Sequence, residues 1–296
     1  MIIVTGGAGF IGSRIVKELN DRDMSDIIIV DDLSDVTKLN NIKDLWIDDY
    51  IDKDNFIEIF NILAENKLVE GIYHMGAESS TTCSDGKYLM SNNYQFSCNI
   101  MNICAANGIP LVYASSASVY GDSDIFNDNS DDYEPNNMYG FSKLQADKYA
   151  RSLMQTAKIM GCRYFNVISD GEFETHKGGM KSPTAWMKEQ YDKYGKIELF
   201  EGSENFKRDF IHINDVVLAT LDLMKIKKSG VYNIGTGIPK SFLELAGNIT
   251  DNIQYVKMPD EIKVGYQKFT KADMTSYNKI KSSDYLPDAL KGANGD

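Results

Sequence analysis

Met1-Ile2-Ile3-Val4-Thr5-Gly6-Gly7-Ala8-Gly9-Phe10-Ile11-Gly12 decides the fold of this 296-residue chain. Met1 to Thr5 is a short apolar run of the kind that forms a strand buried on both faces. Glycines follow at once, and then a helical stretch from Ile11 to about Asp21, with Ile11, Ile15, Val16 and Leu19 on one face. Strand, Gly-x-x-Gly-x-x-Gly and helix in that order turn a loose glycine motif into a dinucleotide site. Gly6 allows the tight turn, Gly9 lets the backbone approach a pyrophosphate, and Gly12 lets the helix pack close. The helix N-terminus then faces the negative charge.

Further along, strands and helices alternate. Ile27 to Val30 is a second strand that ends in Asp31-Asp32. An acid about 20 residues after the glycines takes ribose hydroxyls and favours NAD, because a carboxylate repels a 2′-phosphate. Lys38 and Lys53 are placed to offset that repulsion. Asp44 to Ile47 reads as a third strand, Asn55 to Lys67 as a helix, and Gly71 to Met75 as a fourth strand opening into Gly76-Ala77-Glu78-Ser79. Asn92 to Asn107 is helical, and Pro110 to Ala114 is a fifth strand ending at Ser115-Ser116. A sixth spans Gly161 to Asn166. The pattern predicts an α/β fold, a Rossmann-like doubly wound parallel sheet. Residues 1–166 form the dinucleotide-binding domain. Residues 167–296 form a smaller, interleaved substrate-binding region, with the stretch near 209–237 returning to the first.

Tyr139-Gly140-Phe141-Ser142-Lys143 starts another helix, and residues four apart share a helical face. An ammonium beside a phenol lowers the tyrosine pKa from about 10 toward neutrality, which would make Tyr139 a general base. Composition narrows the function classes. Hydrophobic content of 43% and charged content of 25% suit a soluble globular protein. The net charge of −12 argues against unspecific binding to nucleic acid or anionic membrane. No run approaches the ~18 apolar residues of a membrane span, and the N-terminus reads as a strand rather than a signal peptide. Cys83, Cys98, Cys104 and Cys162 show no metal or disulfide spacing and read as buried thiols in a reducing cytoplasm. With His74, His176 and His212 as the only histidines, no metal site is expected.

Together, TGGAGFIGS, SSASVYG, YGFSK and FKRDFIHINDV resemble the extended short-chain dehydrogenase/reductase family that acts on nucleotide-sugars. SSTT, DGKY, NNYQ, RYFNV, HKGGM, LFEGSENFKRDF and GYQKFT are similar to its ADP-heptose 6-epimerase branch. The resemblance implies a bound nicotinamide cofactor, NADP with NAD possible, that takes hydride from carbon 6 and returns it to the other face. The product would serve lipopolysaccharide core synthesis. Tyr139, held by Ser116 and Lys143, is then one acid/base and Lys177 of HKGGM the other. Matched positions imply cofactor contacts from Phe10, Ile11, Asp31, Asp32, Lys38 and Lys53. They imply more from Met75, Gly76, Ala77, Glu78, Ser79, Asn92 and Val167. Asn166, Phe200, Glu201, Gly202, Ser203, Arg208 and Tyr266 are implied substrate contacts, with Gly179 and Trp186 standing where the family has a serine and a histidine. A guanidinium at Arg208 suits a diphosphate. The family also implies a cytoplasmic homo-oligomer.

Departures from the family fall mostly on the substrate side. Ile168-Ser169-Asp170 replaces Tyr-Gly-Pro, Met75 replaces an acid and Asp32 an asparagine. After Tyr277 a weak tail, Lys291 to Asp296, stands where a closing helix is expected. A dehydratase needs an Asp-Glu pair just after Ser116, where Ala117-Ser118 stands. A 4-epimerase or reductase of the same family, or a cofactor-binding module without turnover, stays open.

Overall fold

A computed structural model describes residues 1–169, 174, 176–177, 181–260 and 266–284. Its element order starts with β1 (Ile2–Thr5), α1 (Phe10–Asp21), β2 (Ile27–Asp31), α2 (Leu39–Ile42) and β3 (Asp49–Asp52). Next come α3 (Phe56–Glu65), β4 (Gly71–His74), α4 (Gly86–Leu89), a π-helical turn (Met90–Gln95) and α5 (Phe96–Asn107). β5 (Leu111–Ser116), α6 (Met138–Leu153), β6 (Ile159–Tyr164) and β7 (Asn166–Ile168) follow. Then come α7 (Pro183–Tyr194), β8 (Ile197–Phe200), β9 (Lys207–His212), α8 (Ile213–Lys225) and β10 (Gly230–Ile234). β11 (Pro239–Ser241), α9 (Phe242–Gly247), β12 (Ile253–Val256) and α10 (Thr275–Asp284) complete the described chain.

Seven strands pair in the order β10-β6-β5-β4-β1-β2-β3, every pair parallel. The alternating side chains of β1 explain why its sequence is apolar throughout. Ile2 and Val4 enter a core with Ile15, Val16 and Leu19 of α1 and Val216 and Val217 of α8. Ile3 enters the opposite core, with Phe56 and Phe60 of α3 and Ile100, Met101 and Cys104 of α5. The sheet is thus wound on both faces. At its far edge, β10 pairs with β6.

A second region pairs its strands outside the large sheet. β7 pairs parallel to β9, β9 antiparallel to β11, and β8 parallel to β12. Met187, Ile197, Leu199, Phe210, Leu245 and Ala246 form its own core.

Several expectations need correction. The third strand is Asp49–Asp52, not Asp44 to Ile47. Ile51 is the residue buried at that edge, while Leu45 and Ile47 pack from the preceding loop. Asn166 leaves the large sheet and opens β7 against β9. The helix expected from Asn92 begins as a π turn. At the C-terminal side α10 is present, with Tyr277 and Ile280 in the first core. Lys291 to Asp296 lies outside the described residues. All four cysteines are free, but only Cys104 and Cys162 are buried; Cys83 and Cys98 are half-exposed.

Candidate active site

The glycine-rich turn behaves as its spacing requires. Gly6 is left-handed at φ +66°, and a Cβ there would lie 2.6 Å from the Gly76 nitrogen at the end of β4. A Cβ on Gly12 would lie 2.1 Å from the Gly6 carbonyl oxygen, so only glycine lets α1 sit this close. Helix α1 begins at Gly9 with no side chain capping it, which leaves its N-terminal N–H groups for a ligand. A cradle that a Cβ would fill, at the N-terminus of a twelve-residue helix, fits a pyrophosphate.

A cleft runs from this turn along the strand ends. Gly6, Asp31, Asp32, Lys38 and Lys53 line one part; Gly76, Ala77, Glu78 and Asn92 line the rest. Asp31 is turned mostly inward. One carboxylate oxygen accepts the Ala8 N–H at 2.8 Å, and the other accepts Lys38 Nζ at 2.8 Å and the Asp32 N–H at 2.8 Å. Lys53 approaches Asp32 at 3.9 Å. The two acids are therefore matched by two lysines at the cleft. Phe10 is buried and Ile11 half-buried beside the turn, and Val167 packs against the first core. Met75 is plugged into that core, its sulfur accepting the Tyr164 hydroxyl at 3.4 Å. Ser79 is exposed.

Beneath the cleft a polar chain fixes the loop after β4. The Gly76 N–H donates to Thr5 Oγ1 at 3.2 Å, and Thr5 Oγ1 pairs with His74 Nδ1 at 2.6 Å. His74 Nε2 pairs with Ser97 Oγ at 2.8 Å, and Ser97 donates to the Asn93 carbonyl at 2.6 Å. Burial pushes His74 down to about 3, so the ring is neutral. Asn93, buried in the π turn, pins Glu78 from both sides, at 2.9 Å to its N–H and 2.9 Å to its carbonyl. Neither Asn93 nor Ser97 was singled out from the sequence. Their signal is four-residue spacing, which puts both polar side chains on one face of the helix, the face that is buried.

Tyr139 and Lys143 leave α6 on the face turned to β5. Ser116, at the end of β5, accepts the Ser118 N–H at 3.1 Å, which frees its own hydroxyl proton for Tyr139. The direction of the tyrosine shift corrects the sequence reading. Burial raises the Tyr139 pKa, the Ser116 hydrogen bond lowers it, and the Glu78 charge raises it again, with a net rise. The Lys143 ammonium instead donates to the Ala114 carbonyl at 2.8 Å and is pulled by burial to about 8. Tyr139 is a neutral phenol in the resting protein.

Lys177 comes from the segment between β7 and α7. Its ammonium lies 4.6 Å from the centre of the Phe10 ring and 3.7 Å from the Glu174 carboxylate. The structure thus brings Lys177 to the glycine-rich turn, and burial lowers its pKa.

In the second region, Arg208 stands 5.3 Å over the Tyr266 ring, which packs on Phe200 and on Phe206, a residue the sequence reading passed over. Arg208 donates to Gln267 at 3.0 Å, its Nε is buried without a partner, and among the described residues no carboxylate pairs with it. Burial lowers its pKa to about 10. Ser203 is buried with its hydroxyl unpartnered, Gly202 turns at φ +85°, and Glu201 is exposed. Asn166 is half-buried at the start of β7 and Trp186 lies partly exposed on α7, neither joined to that cluster by a described contact. Gly179 lies outside the described residues. Among the described residues, no group of His, Cys, Asp or Glu could hold a metal ion, and no helix is long and apolar enough to cross a membrane.

A doubly wound sheet, a glycine cradle at its switch point and a Ser-Tyr-Lys group at the neighbouring strand end define a nucleotide-cofactor enzyme of the epimerase and dehydratase type. The chain belongs to the NAD dependent epimerase/dehydratase family, which matches residues 2–235. It is similar to the ADP-L-glycero-D-manno-heptose-6-epimerase of Helicobacter pylori, with 28% identity, 98% of this chain and 93% of that chain covered, and a TM-score of 0.82. The UDP-glucose 4-epimerase of Thermotoga maritima shares the fold at 24% identity and TM-score 0.78, covering 94% of this chain and 91% of that chain. So does the UDP-N-acetylglucosamine 4-epimerase of Methanobrevibacter ruminantium, at 22% identity and TM-score 0.80, covering 98% of this chain and 93% of that chain.

Proposed function

We propose that the protein is a nucleotide-sugar epimerase that inverts carbon 6 of ADP-D-glycero-D-manno-heptose to give ADP-L-glycero-D-manno-heptose, for the lipopolysaccharide core. The observation that carries this reading is the placement of two proton-carrying groups from unrelated segments: Tyr139 on α6, within reach of the Glu78 charge, and Lys177 over Phe10 of the glycine-rich turn. An epimerase needs both, because the sugar oxygen occupies a different place in each epimer. When bound, a nicotinamide would supply the hydride chemistry at carbon 6, as acceptor first and donor afterwards. Carbon 6 lies between two carbons, so the oxidised sugar is a ketone. One group takes the hydroxyl proton as the hydride leaves; the other supplies a proton to the oxygen once the ketone has turned over. The resting Tyr139 phenol is a proton donor, and a cation seated in the cleft would bring its pKa down.

Gly6, Gly9 and Gly12 would hold the pyrophosphate, with Asp31, Asp32, Lys38 and Lys53 around the adenosine ribose. Two lysines balancing two acids support NADP. Arg208, charged and without a carboxylate partner among the described residues, would take the substrate diphosphate, with Tyr266 and Phe200 beside it.

Incubation with ADP-D-glycero-D-manno-heptose, followed by NMR, tests the proposal: the L-epimer accumulates toward equilibrium. Tyr139→Phe retains cofactor and loses turnover by about 10²–10⁴-fold. Absence of epimer from protein with cofactor bound overturns the activity. Mass spectrometry of the released nucleotide separates NADP from NAD.

A further inference from the structure

Glu174 has been given no role beyond its nearness to Lys177, yet it is fully buried. One carboxylate oxygen accepts the Ser169 hydroxyl at 2.6 Å and the Ser182 hydroxyl at 2.6 Å. The other accepts the Ser182 backbone N–H at 2.6 Å and faces the Lys177 ammonium at 3.7 Å. Ser169 directly follows β7, and Ser182 caps α7, a twelve-residue helix. The carboxylate is therefore fastened to two elements of the substrate region, at a helix N-terminus that favours negative charge. The Lys177 backbone N–H closes one turn onto the Glu174 carbonyl at 3.0 Å, which aligns the two side chains.

From that anchor Lys177 reaches across to the cofactor side. Its ammonium sits over Phe10, and the neighbouring His176 ring pairs with Asn41 at 3.2 Å, which in turn donates to the Ala8 carbonyl at 2.8 Å. A lysine on a free loop needs none of this, because a solvated ammonium finds its partners in water. Building a buried carboxylate costs desolvation, and its hydrogen bonds and counter-charge offset that cost only when the geometry is kept.

We propose that Glu174 is the positioning residue for Lys177, holding its amine at the glycine-rich turn by a carboxylate that Ser169 and Ser182 lock in place. The proposal rests on the reading of Lys177 as the second acid/base, and its test is independent of turnover. Among the described residues, the charged and titratable groups facing the amine are Glu174 and, beside it, His176, whose ring faces Asp31, Asp35 and Lys38. Burial lowers the Lys177 pKa and the Glu174 charge raises it.

The experiment is competitive labelling of lysines with acetic anhydride across pH, read peptide by peptide by mass spectrometry on the folded protein. In Glu174→Gln the labelling midpoint of Lys177 falls by about one pH unit, because an opposite charge within reach has been removed. Ser169→Ala keeps the charge but unlocks the carboxylate, so Lys177 labels several-fold faster at a fixed pH. If Glu174→Gln folds and the midpoint stays, the proposal is overturned. If it does not fold, Ser169→Ala decides, and an unchanged labelling rate there overturns it. Turnover of Lys177→Met reports separately on the acid/base role, so failure of that reading leaves the labelling result standing.

Discussion

At the scale of single residues, the active-site chemistry turns on where the Lys143 ammonium points. It is 3% exposed, donates to the Ala114 carbonyl at 2.8 Å and stands one helical turn from Asp147. Removal from water outweighs the Asp147 charge and brings its pKa from 10.5 to about 8. Between those values the unfolded chain carries a proton on this lysine that the folded chain does not. Stability from this group therefore rises with pH across that window and is at its lowest below pH 8. The unfolding free energy of the cofactor-free wild type, measured against Lys143→Met, gains up to about 1.4 kcal/mol per pH unit over this range. Urea unfolding at pH 7.5 and pH 9.5 reads it, and a pH-independent difference between the two proteins refutes it. The same burial keeps Tyr139 protonated. Four-residue spacing placed both side chains on one face, but spacing says nothing about which carbonyl the amine meets or how much water is excluded. That is why the sign of the tyrosine shift was not legible in the sequence.

At the scale of elements, the stripe on α6 is longer than Tyr139 and Lys143. Asp147 continues it, 1% exposed, and pairs with the fully buried Arg163 of β6 at 2.8 Å. Tyr113 of β5 donates to the same carboxylate at 2.8 Å, and Arg163 reaches the Tyr120 hydroxyl at 3.0 Å while leaving one nitrogen unpartnered. This pair joins α6 to the two strands β5 and β6. Asp147→Asn strands a buried guanidinium and destabilises the protein by about 3–5 kcal/mol. Tyr113→Phe removes one hydrogen-bond donor and costs about 1–2 kcal/mol. Denaturant melts of both variants check the contrast, and equal losses refute it. The strands at the centre of the sheet were readable because burial on both faces writes an unbroken apolar run, as in Ile2–Thr5 and Ile27–Asp31. The edge was not. Asp49-Tyr50-Ile51-Asp52 buries one residue and is more polar than the Leu45-Trp46-Ile47 run before it, in which Trp46 is 77% exposed. Asn93 of the π turn was illegible because its partners, Glu78 and Ser142, lie far away in the sequence. The Glu174 anchor uses near neighbours, Ser169 and Ser182, but their spacing does not say that the carboxylate turns inward to meet them.

At the scale of the whole molecule, topology explains why the site lies where it does. In the order β10-β6-β5-β4-β1-β2-β3 the chain turns outward from β1 in one direction and from β4 in the other, and the crevice at the carboxyl ends opens between them. The glycine turn, the Gly76 loop and Ser116 stand at those ends. Under the proposed function, an anionic nucleotide-sugar would approach a chain of net charge −12, so the overall field opposes it and local cations must capture it. Arg208 is suited to that task. It is desolvated enough to bring its pKa to about 10 and is backed by the Tyr266 face at 5.3 Å. A half-buried cation with an unpartnered buried Nε and no carboxylate among the described residues is costly, and an incoming diphosphate would relieve that cost by two parallel hydrogen bonds. Arg208→Gln keeps donors of similar reach and loses the charge. A charge-assisted hydrogen bond contributes about 1.5–3 kcal/mol, so KM for the nucleotide-sugar rises on the order of 10–100-fold. Bound cofactor and the melting temperature stay near wild type, since Arg208 touches neither the glycine turn nor the main core. Steady-state kinetics beside cofactor content measured by absorbance would separate the effects. A KM that does not move, or cofactor lost together with affinity for the sugar, would show that Arg208 supports the fold and that the diphosphate binds elsewhere.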